Sequence, residues 1–356
     1  MKKAFIISLS LTIMAIAGCK KPDTTATIVT EQQVLTDFAG KLANPNYQDI
    51  QSKANDLNTA VVAFNSNATD ANLATAQSAW RTTRAAWESC EGYLFGPVED
   101  DNYDPSMDTW PLDKTQLDSL LASSNALTVS DIDALPESLK GFHAIEYVIF
   151  GVGGTKTAAQ VTPRQKLYLA SLTQSLYNTT TALRNSWDPA QGNFTAQVTT
   201  AGSGSVRFTT KKAAFVAITT AMSGICDEVA NGKMEEPLNA SGGPDSTLDE
   251  SSFSHNSTTD FTNNIKGVLN AYTCQYNGTT GASLHNLIAQ KNTSLDNRIT
   301  SKINAAVAAF GTINVNYEIA IYTQRTQIIA VQQAINDLKD ILDDELTPFI
   351  QQNITD

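Results

Sequence analysis

The feature that most constrains this chain is a set of apolar stripes at helical spacing, with no convincing strand alternation beside them. Ile50, Ala54, Leu57, Val61 and Phe64 recur at intervals of four, three, four and three. Leu169, Leu172, Leu176, Leu183 and Trp187 form a second stripe, and Phe215, Ile218, Met222, Ile225 and Val229 a third. Ile328, Val331, Ile335, Leu338 and Leu342 form a fourth near the C-terminus. Each stripe lies along one side of a helix and needs a partner to cover it, which predicts an all-α chain of helical bundles. The chain has 356 residues, 42% of them hydrophobic, enough for one large or two medium domains. Two turn-rich stretches, 188–205 and 239–257, interrupt the helices, and long loops in compact domains are often functional. The first break divides the body into two expected helical lobes, 28–187 and 206–356.

The N-terminus reads as an export signal. Lys2 and Lys3 precede a mostly apolar run from Ala4 to Ala17 that is too short to span a bilayer comfortably. No other apolar run approaches membrane-spanning length, so lipid is expected to be the only anchor. Ile16-Ala17-Gly18-Cys19 resembles the lipobox of bacterial lipoproteins, which implies cleavage before Cys19 and a diacylglycerol on its sulfur. The alternative is an ordinary signal peptide with a chance cysteine. On the lipoprotein reading, residues 1–18 are a signal peptide and 19–27 a lipid-anchored tether. Lys20 in place of an aspartate favours the outer membrane by analogy, on its periplasmic or surface face.

Charge narrows the partners. There are 24 Lys and Arg against 36 Asp and Glu, a net −12 that becomes −14 once Lys2 and Lys3 leave with the signal. An acidic chain with no basic-aromatic patch is a poor match for nucleic acid. Beyond Cys19, the cysteines are Cys90, Cys226 and Cys274, an odd number without a C-x-x-C pair. Buried thiols are expected, with one disulfide as the alternative, and a thiolate zinc site is not expected.

The segment Gly141-Phe142-His143-Ala144-Ile145-Glu146-Tyr147 carries the sharpest chemistry. His143 and Glu146 are three apart and so share a helix face, where an imidazole and a carboxylate can ligate one metal. Their neighbours leave the helix almost no polar side, so both are expected to be buried; a mutual His–Glu hydrogen bond is the competing reading. Glu91 falls four residues after Trp87, on a stripe with Trp80 and Leu94, and Arg84 on the same side offers it a salt bridge. The acidic stretch Glu99–Asp104 lacks the calcium-loop pattern and reads as a solvated loop. Farther on, Glu228 sits at the edge of an apolar stripe, and Glu250-Ser251-Ser252-Phe253-Ser254-His255-Asn256-Ser257 is a loop rich in hydrogen-bonding groups. His285 is isolated and reads as a surface or capping residue. H-E-x-x-H, P-loop, dinucleotide-binding and nucleophile-elbow motifs are all absent.

These motifs jointly resemble the imelysin-like family. Gly141, His143 and Glu146 match its G-x-H-x-x-E hallmark. Trp87 to Pro97 is similar to its tryptophan, glutamate and Phe-Gly stretch, with Glu91 at the glutamate. Asp108-Thr109-Trp110-Pro111-Leu112-Asp113 is similar to its Trp-Pro-Leu-Asp segment, bringing in Trp110 and Asp113. Glu250 to Ser257, including Ser254, resembles its Phe/Tyr-Ser-x-Asn loop. The resemblance implies two bundle-like lobes with the site between them, and a role in iron or haem acquisition at the cell envelope. His143, Glu146 and Glu91 are then expected to meet a metal, iron or another divalent ion, or an iron-bearing ligand, with Glu228, Glu250 and Ser254 contributed by the second lobe. The expected partners are the membrane, through the lipid, and an envelope transport component. A metallopeptidase using the same His-x-x-Glu pair is the alternative activity, and a structural or interaction lipoprotein is a third reading.

Overall fold

The computed structural model describes residues 28–239 and 241–355. The expected signal segment, Cys19 and the tether lie outside the described residues. Among those described, structure is helical apart from a minimal antiparallel hairpin, Gln275–Tyr276 with Thr279–Thr280, and an isolated bridge between Ser241 and Gly243.

The first bundle is built from α1 (Asn44–Ser66), α2 (Asp70–Glu88), the short α3 (Tyr103–Asp108), α4 (Gly141–Phe150) and α5 (Pro163–Trp187). α1 packs along both α2 and α5, and α4 lies across α2 and α5. The second bundle comprises α6 (Lys211–Asp227), α7 (Ser257–Thr273), α8 (Thr293–Ala309), the short α9 (Tyr317–Thr323) and α10 (Arg325–Ile341). All twenty residues of the four apolar stripes are 3% exposed or less, so each stripe is a buried helix face. Polar residues mark where helices start. The hydroxyls of Thr69, Thr162 and Thr210 accept the N–H groups of Asn72, Gln165 and Ala213, each satisfying a first-turn donor.

From α6 the helix continues through a π-helical turn, Glu228–Lys233, and the chain stays helical to Leu238. These 28 residues are apolar enough, by length and composition, to cross a membrane, which corrects the expectation that no second segment approaches that length. Here that apolarity is spent on packing: the face from Phe215 to Val229 is buried in the second bundle.

Three local expectations need correction. The Trp80–Trp87–Leu94 stripe is not one helix, because α2 ends at Glu88 and Glu91 opens a 3-10 turn, Glu91–Tyr93. Gly92, a poor helix former, lies in that turn. The acidic stretch is solvent-exposed at Glu99, Asp100 and Asp101, as expected, but it is largely helical rather than a loop. Pro97 opens a short helix, Pro97–Asp100, and buried Val98 and Met107 tie it and α3 to the core. The break 188–205 holds a short helix, Phe194–Thr199, whose Phe194 packs against Phe95, Trp187 and Phe208. Cys90, Cys226 and Cys274 are free, buried thiols.

The bundles meet at two glycines. A Cβ on Gly92 would lie 2.5 Å from the carbonyl carbon of Gly267 on α7, and one on Gly267 would lie 2.8 Å from the Ser89 oxygen. Backbone therefore packs on backbone, which brings α7 close to the end of α2. Gly267→Val should destabilise the protein by about 1–3 kcal/mol through overpacking, measured as a lower urea midpoint. Gly224→Ala on α6, where an added Cβ meets nothing within 4 Å, should be neutral or stabilising by up to about 1 kcal/mol. Equal losses at both positions would contradict the close-packed glycine contact.

Candidate functional site

The site starts with the backbone around Gly141. This residue opens α4 with φ +76, and a Cβ there would run into the Met107 carbonyl. Glycine lets the end of α3 lie against the start of α4, which sets Asp108 beside His143. The Trp80 indole on α2 donates to the Phe142 carbonyl at 3.0 Å and helps fix α4. His143 and Glu146 are both buried, as the all-apolar surroundings of the motif predict.

The His–Glu hydrogen bond is present: His143 Nδ1 lies 3.2 Å from Glu146 Oε2. The other Glu146 oxygen accepts the Ser254 backbone N–H at 2.7 Å. Both oxygens are thus engaged, and Glu146 stands behind His143, holding its ring. Such a carboxylate behind an imidazole fixes which ring nitrogen faces forward. His143 Nε2 points the other way, 3.1 Å from Asp108 Oδ1 but off the line of a good hydrogen bond.

Asp108 and His143 are one end of a larger buried cluster. Arg84 on α2 pairs with Asp108, with Glu88 at 2.5 Å and with Glu250 at 2.7 Å, and its Nε lies 3.6 Å from Asp260. Lys233, at the end of the π-helical turn, lies 2.9 Å from the same Glu250 oxygen, 3.1 Å from Glu91 and 3.8 Å from Glu88. Its ammonium also sits 5.2 Å from the Trp110 ring centre. The Asn264 amide donates to Glu88 and Glu91, and the Trp87 indole donates to Asp108 at 2.7 Å. Six buried carboxylates (Glu88, Glu91, Asp108, Glu146, Glu250 and Asp260) therefore share two permanent cations and one imidazole. A buried carboxylate must be paired, protonated or bound to a cation, and here carboxylates outnumber the permanent cations.

The surplus shows in the protonation states. Burial alone would push the His143 pKa down, but the adjacent carboxylates of Asp108 and Glu146 outweigh it and raise it to about 9. Burial opposes ionisation of Asp108 as well, yet Arg84 and His143 hold it below the usual carboxylate range. Burial and neighbouring Glu88 push Glu91 well above that range, and burial with nearby Asp108 raises Asp104 to about 7. Lys233 is raised well above an ordinary lysine, since Glu250, Glu91 and Glu88 outweigh the cost of burying it.

Among the cluster's buried atoms that lack a hydrogen-bond partner are His143 Nε2 and Glu250 Oε2. Both residues line a cavity of about 210 Å³, whose other walls include Asp249, Phe253, His255, Glu318 and Leu112. One ligand atom each from Asp108, His143 and Glu250 lies within 4.8 Å of the others, all three residues being buried. An imidazole with two carboxylates is a donor set that suits a first-row divalent ion. Glu88, Glu91 and Asp108 form a second such group, but Arg84 and Lys233 already lie against it. A larger cavity, about 530 Å³, shares no lining residue with the first and is bordered by Glu91, Asp104 and Glu228. Of the two cavities, the smaller is the candidate site, because His143 and Glu250 line it and not the larger one.

The structure brings together His143, Glu146, Glu91, Glu250 and the Ser254 backbone, with Gly141 and Trp110 in supporting positions. Glu228 reaches the rim only: its side chain is 48% exposed and 3.7 Å from Lys233. Asp113 stands apart as the N-cap of the helix Lys114–Ala122. Arg84 bonds Asp108, Glu88 and Glu250 rather than Glu91, whose cation is Lys233. Glu88, Lys233, Asp260 and Asn264 went unread in the sequence, and Asp108 only as part of a motif. Lys233 had a signal, since it falls four residues after Val229 on the third apolar stripe.

A group with a raised pKa in the folded state stabilises that state at low pH. The contribution of His143 is complete below its unfolded value of about 6.5 and is lost as pH rises through about 9. The unfolding midpoint should therefore fall across this window, and His143→Gln should flatten that part of the profile. A wild-type profile flat from pH 6.5 to 9.5 would contradict the charged imidazole.

Comparison with known proteins places this geometry in a family. The chain is 28% identical over 324 residues to iron-regulated protein A of Synechococcus elongatus, covering 90% of this chain and 86% of that protein. Its fold is shared with an iron-regulated protein A precursor from Parabacteroides distasonis, at TM-score 0.81 and 24% identity over 93% of this chain and 97% of the other. An imelysin-like protein from Psychrobacter arcticum shares it at TM-score 0.74 and 14% identity, over 90% and 95% of the two chains. The sequence profile that matches, over residues 43–344, is that of Imelysin, and the chain belongs to the imelysin family.

Proposed function

We propose that this protein binds an iron ion, or a divalent ion of similar chemistry, between its two bundles and serves iron acquisition at the cell envelope. The observation that carries this reading is the surplus of buried carboxylates around His143, open to a cavity through His143 Nε2 and Glu250 Oε2. Asp108, His143 and Glu250 hold the ion; Glu146 positions His143; Arg84 and Lys233 balance the remaining carboxylates. The name of the Synechococcus relative, iron-regulated protein A, supports a role tied to iron.

The size of the cavity bears on the cargo. At about 210 Å³ it is smaller than the ~300–1,000 Å³ of pockets that take drug-sized organic ligands. That scale favours a hydrated ion over haem or a peptide as the cargo. Anchoring through lipid on Cys19 would keep the bound ion at the outer membrane for a transport partner. Lipid labelling that persists in Cys19→Ala would contradict that anchor.

A proton on His143 competes with the ion, because only the neutral imidazole ligates. Affinity for Mn²⁺ or Fe²⁺, measured anaerobically by titration calorimetry, should rise with pH toward about 9, by at most about tenfold per unit. His143→Ala should abolish inner binding, and Glu146→Gln should weaken it by about 10–100-fold. Metal content unchanged in His143→Ala would overturn the reading. Casein hydrolysis that disappears in His143→Ala would favour the metallopeptidase instead.

A further inference from the structure

The two groups of converging donors at the junction of the bundles differ in what meets them. His143 and Glu250 of the first group line the smaller cavity, whereas Glu88, Glu91 and Asp108 of the second lie against Arg84 and Lys233. One oxygen each from Glu88, Glu91 and Asp108 lies within 4.8 Å of the others, and all three residues are buried. Asp108 belongs to both groups, so the two positions are neighbours. Helix bundles that turn several carboxylates and an imidazole inward can hold a pair of ions, commonly about 3.5–4 Å apart.

The Lys233 ammonium marks the point on which the second set of oxygens converges. Its Nζ lies 2.9 Å from Glu250 Oε1, 3.1 Å from Glu91 Oε2, 3.7 Å from Glu228 Oε1 and 3.8 Å from Glu88 Oε2. These oxygens come from four segments: the end of α2, the 3-10 turn after it, the π-helical turn, and the loop before α7. The lysine side chain is fully buried among them. Arg84 serves the cluster differently. One of its terminal nitrogens pairs with Asp108 and the other with Glu88 and Glu250, so its planar fork spreads one charge along the cluster. An ammonium is a compact point charge, and oxygens gathered around it from several segments resemble the shell of a bound ion. Glu250 spans the two places, since it lines the smaller cavity and turns Oε1 to Lys233. Glu91 and Glu228 line the larger cavity, which gives the second place an approach of its own.

We infer that Lys233 is a built-in occupant of a second ion position, formed by Glu88, Glu91 and Glu250, and that it limits the centre to one divalent ion. The limit of one rests on the ion-binding function proposed above; the second position rests on the ion-pair geometry of Lys233. The lysine thus determines capacity without touching the ion it leaves room for.

The test counts Mn²⁺ bound per chain by equilibrium dialysis of the full mature protein without oxygen. The wild type should hold one equivalent. Lys233→Ala vacates the place and should hold two, whereas Lys233→Met removes the charge but fills the space and should hold one. Adding Glu91→Gln to Lys233→Ala should return the count to one. Adding His143→Ala to Lys233→Ala should also leave one, now at the vacated place. Lys233→Ala strips buried carboxylates of their cation, so its unfolding midpoint should drop in chelator and recover as Mn²⁺ is added. One equivalent in Lys233→Ala, or a midpoint that Mn²⁺ does not recover, would overturn the inference. No binding by the wild type, with one equivalent gained in Lys233→Ala, would overturn the proposed function and sustain Lys233 as the occupant. No binding in either protein would overturn both.

Discussion

One oxygen atom organises this molecule. Oε1 of Glu250 lies 2.7 Å from Arg84 of the first bundle and 2.9 Å from Lys233 of the second. Without it the two cations would face each other with no shared counter-charge. Removing one partner of a buried pair costs roughly 3–5 kcal/mol, far more than the pair adds relative to an apolar core. The junction between the bundles is therefore electrostatic at its centre, with the Gly92–Gly267 backbone contact beside it.

The same arrangement explains why the site is selective in sign. Arg84 and Lys233 neutralise part of the cluster and hold it together, yet six carboxylates remain against two permanent cations. The His143 proton supplies a third positive charge, and it is the one that can leave. On the proposed reading, an ion in the cavity would meet His143 and Glu250, while Lys233 lies against the Trp110 ring. Glu146 contributes without facing the cavity, since both its oxygens are spent on His143 and the Ser254 N–H.

The sequence reading reached the helices because their stripes are regular, and every residue of the four stripes is buried. It reached His143, Glu146, Glu91 and Glu250 because short motifs keep those residues at fixed spacing. It failed where a local change of winding redirected a side chain. Extending α2 as an ideal helix made Arg84 the partner of Glu91, but the 3-10 turn after Glu88 hands that role to Lys233. Lys233 sits on a stripe of apolar residues, where an ammonium looks misplaced until carboxylates from three other segments surround it. Asp249 is illegible for a different reason: nothing in a serine-rich loop announces which carboxylate will be buried.

The placement of the aromatic residues has an optical consequence. Two of the four tryptophans touch the charged cluster: the Trp87 indole donates to Asp108, and the Trp110 ring faces the Lys233 ammonium. Trp187 lies elsewhere, packed among Tyr47, Phe95 and Phe194. An indole's emission responds to charges near its ring, so the protein carries its own fluorophores at the place where its electrostatics change.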